Sequence, residues 1–440
     1  MNSRPLRYGI FGFGPMSYLY GLGILRGGNR IVAIGESAKP SANGPGQSCK
    51  YSPGATESTE WMGRLTNIAA LSVLRLALPP TTLQFHSSLL EMIIHADVDF
   101  IVLNHSKSLE LVSESIESYR KYTQTANCGK KRIMLVLDCD CLDGSEIPEL
   151  TRLHKQYEVN VGEDGSQSIG FCPLFYMRFD RSVQHLKNAS SLVGNRQSFS
   201  LCHISSRIPY GVDMDRLLCG NSSTRADDEG RSRRSVSFLL SQLANELLFL
   251  FKKDRLVEIL STAPPTTTAH SQKRSLLVQF RTSQRIFGTI NILLGQSMEY
   301  RRIVQCGDRG TTILKAVGCS AAETSSVAVW MHGDPQMSRK SSRTWTDDKK
   351  RNPVPTNGTL GSVLNLERRW KEAIFAALEN TQHSYRMSPS IARVSYENTL
   401  ELLATLHLAK HMETGLISDD SSSISEYSTA WNNFTASCKI

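Results

Sequence analysis

Short, continuous apolar runs alternate with segments of helical spacing along the first part of the chain. The apolar runs predict buried strands, one from Tyr8 up to Gly12 and others at Ile31–Ile34, Asp99–Leu103 and Arg132–Leu137. Apolar residues spaced by three and four predict helices between them, at Ser88–His95, Leu109–Tyr119 and Glu146–Tyr157. Strands that are apolar throughout and separated by helices are typical of a parallel sheet covered on both faces. The pattern therefore predicts a doubly wound α/β domain.

A different pattern begins near Phe171. Apolar and polar residues alternate there with the period of strands that bury one face, at Phe199–Ser205, Leu276–Arg281 and Thr289–Leu294. These segments predict an α+β domain with an open antiparallel sheet, and the apolar segment Val236–Lys252 predicts a helix within it. Two amphipathic helices are predicted near the end of the chain, at Leu366–Leu378 and Val394–His411. We expect them to pack back on the first domain.

The turn after the first predicted strand reads Gly12-Phe13-Gly14-Pro15-Met16-Ser17. Gly12 permits a tight turn, and Gly14 lets backbone N–H groups approach a pyrophosphate at the positive end of the following helix. Ser17 stands where a third glycine is usual, and Pro15 removes one N–H donor. A strand, a glycine turn, a helix and a second strand in this order predict a Rossmann-like dinucleotide-binding domain.

Glu36 follows the second predicted strand, 22 residues after Gly14. A carboxylate near this spacing accepts hydrogen bonds from the ribose hydroxyls of the adenosine. The same charge would repel a 2′-phosphate. NAD is therefore the expected cofactor, with NADP as the alternative.

These patterns predict four parts along the chain. Residues 1–170 form the dinucleotide-binding domain, 171–365 the open-sheet domain, 366–415 the returning helices and 416–440 a disordered tail. Three segments rich in polar residues, glycine or proline are expected to be loops: Lys39–Ser58, Thr262–Lys273 and Met337–Thr359.

Composition narrows the class of protein. A length of 440 residues allows a large core, and ten cysteines without an apolar leader indicate reduced thiols in a cytoplasmic protein. The net charge of +9 is modest for this length, and the basic clusters Arg225–Arg234 and Arg339–Arg351 have the composition of solvated loops. We expect neither nucleic acid nor a membrane as a partner. Cys139 and Cys141 are too closely spaced for the usual zinc or redox pair, so no metal is expected.

Four motifs in chain order resemble the Gfo/Idh/MocA oxidoreductase family, over about Tyr8 to Gly415. They are the turn Gly12–Ser17, the strand Asp99–Leu103, the segment Tyr176-Met177-Arg178-Phe179-Asp180 that opens the second domain, and Tyr300–Thr311 with its Gly307-x-x-Gly310 hairpin. The resemblance implies a nicotinamide-dependent oxidoreductase with an unknown small-molecule substrate. We also expect the open sheet to offer a homodimer face.

The catalytic residues of that family are replaced. Its Glu-Lys-Pro motif reads Asp138-Cys139-Asp140 here, and its His-x-x-Asp pair aligns with Gln242 and Asn245. Its Thr-Pro-Asn loop reads His105-Ser106-Lys107. An amide has no useful proton affinity near neutral pH, so Gln242 and Asn245 do not serve as general acid or base.

Two hypotheses follow. In the first, the chain is an oxidoreductase with a non-standard acid/base site, whose candidate residues are Asp138, Asp140, His105, Tyr176 and Arg178. In the second, it is a catalytically inactive dinucleotide-binding regulator or scaffold resembling the fungal galactose-regulon repressor. We expect Phe179 to pack inward and Arg178 either to hold a substrate carboxylate or carbonyl or to form a structural ion pair.

Overall fold

The computed structural model describes most of the predicted elements and divides into two compact units. The described residues are 4–12, 15–35, 83–104, 108–126, 131–138, 142, 144–161, 169–205, 240–251, 256–263, 274–282, 284–294, 299–319, 322–332, 343–346, 359–387 and 390–414. The first unit holds the described residues up to Phe175 together with Ile374–Leu403. The second holds those of Tyr176–Tyr210, of Arg234–Ala373 and from Ala404 onward.

The first unit is built on a parallel sheet of six described strands in the order β3-β2-β1-β4-β5-β6. The strands are β1 (Arg7–Phe11), β2 (Arg30–Gly35), β3 (Gln84–His86), β4 (Phe100–Leu103), β5 (Ile133–Asp138) and β6 (Ile169–Leu174). Every residue of β4 is buried, as is every residue of β5 from Ile133 to Leu137. Because side chains on both faces of the sheet are buried, these strands carry continuous apolar runs.

Helices connect these strands. They are α1 (Pro15–Arg26), α2 (Leu89–His95), α3 (Ser108–Ala126) and α4 (Ile147–Val161), with a 3-10 turn at Gly144–Glu146. Ser88 caps α2, since its side chain accepts a hydrogen bond from the backbone N–H of Glu91. Tyr8 of β1 and Phe100 of β4 stack with ring centroids 4.9 Å apart. The core of this unit therefore lies at and beside the central strands.

Two long helices, α7 (Thr359–Met387) and α8 (Ile391–Thr414), contribute residues 374–403 to the first unit. Phe375 of α7 approaches so closely that a Cβ on Gly23 of α1 would lie 2.6 Å from its ring. On the sheet edge, the backbone N–H of Phe171 in β6 donates to Ser395 Oγ (2.9 Å), and Asn398 Nδ2 donates to the Phe171 carbonyl (2.9 Å). Side chains of α8 thus satisfy backbone groups of the edge strand.

The second unit begins with a 3-10 turn at Tyr176–Phe179 and α5 (Arg181–Ser190), and includes a helix α6 over 240–250. Its sheet has eight described strands in the order β14-β13-β12-β11-β7-β10-β9-β8. They are β7 (Arg196–Ser205), β8 (Leu256–Ala263), β9 (Arg274–Thr282), β10 (Phe287–Leu294), β11 (Glu299–Gly307), β12 (Gly310–Cys319), β13 (Ala322–Met331) and β14 (Arg343–Thr346). The sheet is mixed, because β7 and β10 run parallel while its other pairs are antiparallel.

The two faces of this sheet differ. Alternate residues of β9 are buried and exposed from Leu276 to Thr282. In β12 buried residues alternate with half-buried or exposed ones from Gly310 to Ala316. On the buried face Phe199, Phe251 and Phe280 form an aromatic cluster. The opposite face, which we call the outward face, carries the exposed side chains of Leu277, Phe287 and Trp330. Only one face is therefore packed within the unit.

The structure confirms the predicted fold class, an α/β chain with a Rossmann-like sheet and a second sheet-containing domain. The predictions of an antiparallel second sheet and of two loops need correction. Strands β7 and β10 run parallel, because β10 does not follow β7 through a hairpin. Arg343–Thr346 form the edge strand β14 inside the segment Met337–Thr359, and β8 extends to Ala263, two residues into the segment Thr262–Lys273. The predicted loop Lys39–Ser58, the basic cluster Arg225–Arg234 and the tail 416–440 lie outside the described residues, as does the cluster Arg339–Arg351 apart from β14. Among the described helices none is both long and apolar enough to cross a membrane.

Candidate functional site

The turn after β1 has the backbone conformation that a glycine allows. Gly12 lies at φ 86°, in the left-handed region. Its N–H donates to the Gly35 carbonyl (2.8 Å), and its carbonyl accepts from Ser17 Oγ (3.0 Å). Ser17 is only 1% exposed, so its hydroxyl belongs to the interior of the turn. Both backbone groups of Gly12 are thereby held.

A polar edge forms where the parallel strands end. Gly12 follows β1, Gly35 ends β2, Asn104 follows β4 and Asp138 ends β5. The backbone N–H of Asn104 donates to the Phe11 carbonyl (2.9 Å), which joins the ends of β1 and β4. Its side-chain Nδ2 donates to Ser17 Oγ at 2.9 Å. Ligands of open α/β sheets bind at this carboxyl edge.

Several predicted site residues are only partly described or not described. Phe13, Gly14, Glu36, His105 and Asp140 lie outside the described residues, as does Cys139. For Pro15, Met16 and Asp138 the structure describes the backbone: the first two begin α1 and the third ends β5. Gly12 and Ser17 are thus the predicted cofactor-binding residues that the structure brings together.

The described part of this turn fits a dinucleotide. Gly12 supplies the left-handed bend, and α1 begins at Pro15, directly beyond the turn. A helix starting there presents N–H groups and positive dipole to an anion. A metal is a poorer candidate, since no cluster of potential ligands occurs among the described histidine, cysteine and acidic residues.

The other two predicted residues lie in the second unit, in the 3-10 turn. Tyr176 is buried and Arg178 is half-buried. Arg178 Nε donates to Asn245 Oδ1 of α6 (2.9 Å), and Asn245 Nδ2 donates to Thr405 Oγ1 of α8 (3.2 Å). Asn245 is therefore an amide held between a guanidinium and a hydroxyl.

Phe249, one turn further along α6, has two cations beside its ring. The guanidinium carbon of Arg178 lies 5.9 Å from the ring centroid, and Lys187 Nζ lies 3.5 Å from it. Cations attract the face of an aromatic ring. Gln242 lies on the same side of α6 and is half-buried. Phe179, in the 3-10 turn, is half-buried as well. The side of α6 that carries Gln242, Asn245 and Phe249 is thus polar and cationic.

Sequence reasoning missed Asn104, Lys187 and Thr405. Asn104 carries one usable signal, because it is the first polar residue after an all-apolar strand. Lys187 and Thr405 carry none, since their partners Phe249 and Asn245 lie far away along the chain.

No family model matches the chain, and no curated protein matches it in sequence. Solved structures do match its fold. A probable dehydrogenase from Thermotoga maritima has a TM-score of 0.56 at 12% identity, over 93% of this chain and 96% of that one. An oxidoreductase from Agrobacterium radiobacter, solved in complex with NAD+, L-tartaric acid and magnesium, has a TM-score of 0.56 at 10% identity, over 93% of this chain and 97% of that one.

The transcriptional regulator Gal80p from Kluyveromyces lactis is similar to the same extent, with a TM-score of 0.54 at 12% identity over 94% of this chain and 93% of that one. At such identities the likeness shows the fold alone. The chain therefore has the two-domain fold of these dehydrogenases and oxidoreductases. Because the same fold also occurs in a regulator, activity has to be argued from the site.

Proposed function

We propose that the protein is a nicotinamide-dinucleotide-dependent oxidoreductase of the Gfo/Idh/MocA type with a non-standard acid/base site. The observation that carries the proposal is the turn after β1, where Gly12 lies at φ 86° and α1 begins at Pro15. The fold of dehydrogenases and oxidoreductases supports it. The substrate is a small molecule whose identity neither the residues nor the fold specifies.

The cofactor site consists of the backbone from Gly12 to Ser17 and the carboxylate of Glu36. The turn and the start of α1 would hold the pyrophosphate. Glu36 would accept hydrogen bonds from the ribose hydroxyls and disfavour a 2′-phosphate, which makes NAD the preferred form and NADP the alternative.

Hydride chemistry belongs to the nicotinamide ring when it is bound, so the protein has to orient the ring and move a proton. Asn245 cannot move that proton, because its amide is neutral and engaged with Arg178 and Thr405. The proposed groups are Asp138, Asp140, His105 and Tyr176. A general base contributes about 10² to 10⁴ in rate, so oxidation of ordinary polyols or sugars should be faint.

Titration calorimetry with NADH and NADPH tests the cofactor assignment. We expect NADH to bind at least about tenfold more tightly, because of the charge of Glu36. Glu36→Gln should remove most of that preference, and Gly14→Val should weaken both cofactors, because a branched side chain blocks the pyrophosphate. Absence of binding by either cofactor would overturn the proposed function.

A dinucleotide-binding regulator is the second candidate. Its favouring observation is the Asn245 amide at the family's acidic position, together with the likeness to Gal80p. Absorbance of bound NADH, followed while candidate ketones or enones are added, separates the two. An enzyme consumes NADH, whereas a regulator leaves the absorbance unchanged.

Arg178 has two roles open to it, in substrate binding or in holding the second unit together. We propose the structural role, because Nε is engaged by Asn245. Arg178→Lys keeps the charge and loses the planar fork. The structural role predicts a lower melting temperature with unchanged NADH affinity, and the exposed neighbour Arg181→Lys is the control. An unchanged melting temperature with a lost substrate response would contradict it.

We also propose that a second copy of the chain covers the outward face. Phe287 and Trp330 are 57% and 48% exposed there, and Leu277 is exposed on the same face. Ile313, half-buried at the middle of this face opposite Val304, offers the test. Light scattering after gel filtration should show a dimer for the wild type and a monomer for Ile313→Asp. Val159→Asp, at an exposed apolar residue of α4, should remain a dimer.

A further inference from the structure

Asn104 and Ser17 connect three elements of the first unit through one short chain of hydrogen bonds. Asn104 Nδ2 donates to Ser17 Oγ (2.9 Å), and Ser17 Oγ donates to the Gly12 carbonyl (3.0 Å). The backbone N–H of Asn104 is held separately by the Phe11 carbonyl. The end of β4 is thereby tied to the first turn of α1 and, through it, to the turn after β1.

The direction of these bonds follows from the side chains. A hydroxyl has one proton to donate and accepts through its lone pairs, whereas an amide NH₂ only donates. Because Asn104 donates to Ser17, the single proton of Ser17 is left for the Gly12 carbonyl. Asn104 therefore acts on Gly12 through Ser17.

Ser17 holds the orientation of the Gly12 carbonyl. A peptide bond is planar and trans, so a group that fixes a carbonyl also fixes the N–H of the same peptide plane, which points the opposite way. N–H groups in such turns are the donors that bind phosphate oxygens.

We propose that Asn104 is a positioning residue for the pyrophosphate site, acting through Ser17 on the peptide plane after Gly12. The inference rests on the proposed dinucleotide binding. It also gives Ser17 a purpose at the third glycine position, since its buried hydroxyl holds the turn in place of close glycine packing.

Two substitutions separate positioning from bulk stability. Asn104→Ala removes the donor, and we expect NADH and ADP-ribose to bind about five- to tenfold more weakly, the range of one lost hydrogen bond. Asn104→Asp can only accept, so it draws the Ser17 proton away from Gly12 and adds negative charge. It should weaken both ligands by more than Asn104→Ala does. Adenosine, which lacks phosphate, should lose no affinity in either variant.

The matched control is Asn398→Ala, elsewhere in the same unit. It removes an amide hydrogen bond of the same donor–acceptor distance, 2.9 Å from Asn398 Nδ2 to the Phe171 carbonyl. It should lower the melting temperature and leave ADP-ribose affinity unchanged. In the Ser17→Gly variant, adding Asn104→Ala should have no further effect on ADP-ribose affinity, because the hydrogen bonds from Asn104 through Ser17 to Gly12 are already absent.

Hydrogen exchange of the ligand-free protein gives a second readout. Asn104→Ala should speed exchange at the start of α1, whereas Asn398→Ala should not. If the wild type binds no dinucleotide, both the proposed function and this inference fall. If the wild type binds and Asn104→Ala behaves like Asn398→Ala, or adenosine affinity falls in parallel, only the inference is overturned.

Discussion

The two sheets of this protein handle polar residues in opposite ways. Strand β4 of the parallel sheet is buried throughout and has its first polar side chain, Asn104, only after it ends. Strand β11 of the mixed sheet buries Arg301 and Gln305 within its length. A sheet covered on both faces leaves room for polar groups only at its ends, where ligands can reach them.

The two buried polar residues of β11 named above have partners within the second unit. Arg301 forms an ion pair with Glu246 of α6, with both side chains at most 5% exposed. Gln305 accepts a hydrogen bond from Ser190 of α5. These contacts fasten both helices to the sheet. In the first unit, polar residues therefore mark a candidate ligand-binding edge. In the second unit, they form contacts between helices and the sheet.

The largest expected effect on stability comes from breaking the buried ion pair of the second unit. Glu246→Ala leaves the buried charge of Arg301 without this carboxylate, and loss of one partner of a buried pair costs roughly 3 to 5 kcal/mol. The free energy of unfolding, measured by urea denaturation, checks this.

A double variant sharpens that test. Glu246→Leu with Arg301→Met replaces the pair by apolar side chains and should recover most of the lost stability. The exposed pair of Arg393 and Glu397, whose closest atoms lie 3.2 Å apart, is the control. Glu397→Ala should cost no more than about 0.5 kcal/mol. Equal losses from Glu246→Ala and Glu397→Ala would contradict the distinction.

A smaller effect should come from adding one methyl group to the first sheet. A Cβ on Gly170 of β6 would clash with Ile391 Cγ2 of α8 and lie 2.9 Å from Met134 Sδ of β5. Gly170→Ala should therefore destabilise the protein by about 1 to 3 kcal/mol, as overpacking usually does. Thermal and urea unfolding measure it.

A second substitution tests whether the clash with Ile391 causes the loss of stability. Ile391→Leu removes the branch atom that meets the new methyl group, so Gly170→Ala combined with Ile391→Leu should be more stable than Gly170→Ala alone. If the double variant is the less stable of the two, the close approach of β6 and α8 does not explain the loss.

The smallest expected effect is on pH dependence. His154 of α4 stacks on Tyr396 of α8 with centroids 4.8 Å apart, and its Nδ1 lies 3.0 Å from Thr399 Oγ1. Burial lowers the pKa of His154, although Glu158 nearby opposes the shift. Below about pH 6.5 the unfolded chain therefore takes up a proton that the folded chain resists. Stability should fall as the pH drops through this range.

The slope of the unfolding free energy between pH 7.5 and 5.5 is the measurement. His154→Gln should reduce the slope, and His383→Gln, at an exposed position of α7, should leave it unchanged. The slope should not vanish, since burial also lowers the pKa of His86. An equal slope in all three proteins would contradict the assignment.

Some elements were predictable from sequence because one local pattern decided them. The all-apolar strands β4 and β5 lie within a residue of their predicted bounds, since burial on both faces requires an apolar run. Helix α7 continues to Met387, nine residues beyond the predicted end, because Thr381 and Gln382 are buried despite their polarity. Strand β14 pairs with β13 through its backbone, and such pairing at an edge needs no apolar pattern.

The site was predictable only where the chain folds on itself locally. Gly12 and Ser17 are five residues apart and meet through the turn that their spacing predicts. Arg178 was expected to pair with a carboxylate or a substrate, whereas its Nε donates to Asn245, 67 residues away. Ser17 and Asn104 are 87 residues apart. Such contacts depend on topology, which periodicity does not contain.

The return of α8 to strand β6 bears on how the chain is made. During synthesis the first six strands emerge long before Ser395 and Asn398, which satisfy the Phe171 backbone. Until then the sheet has an open edge able to pair with other chains. A chain that ended before Ile391 would leave this edge of the sheet open to pairing and aggregation. The Rossmann-like unit, although synthesised first, therefore completes its fold among the last.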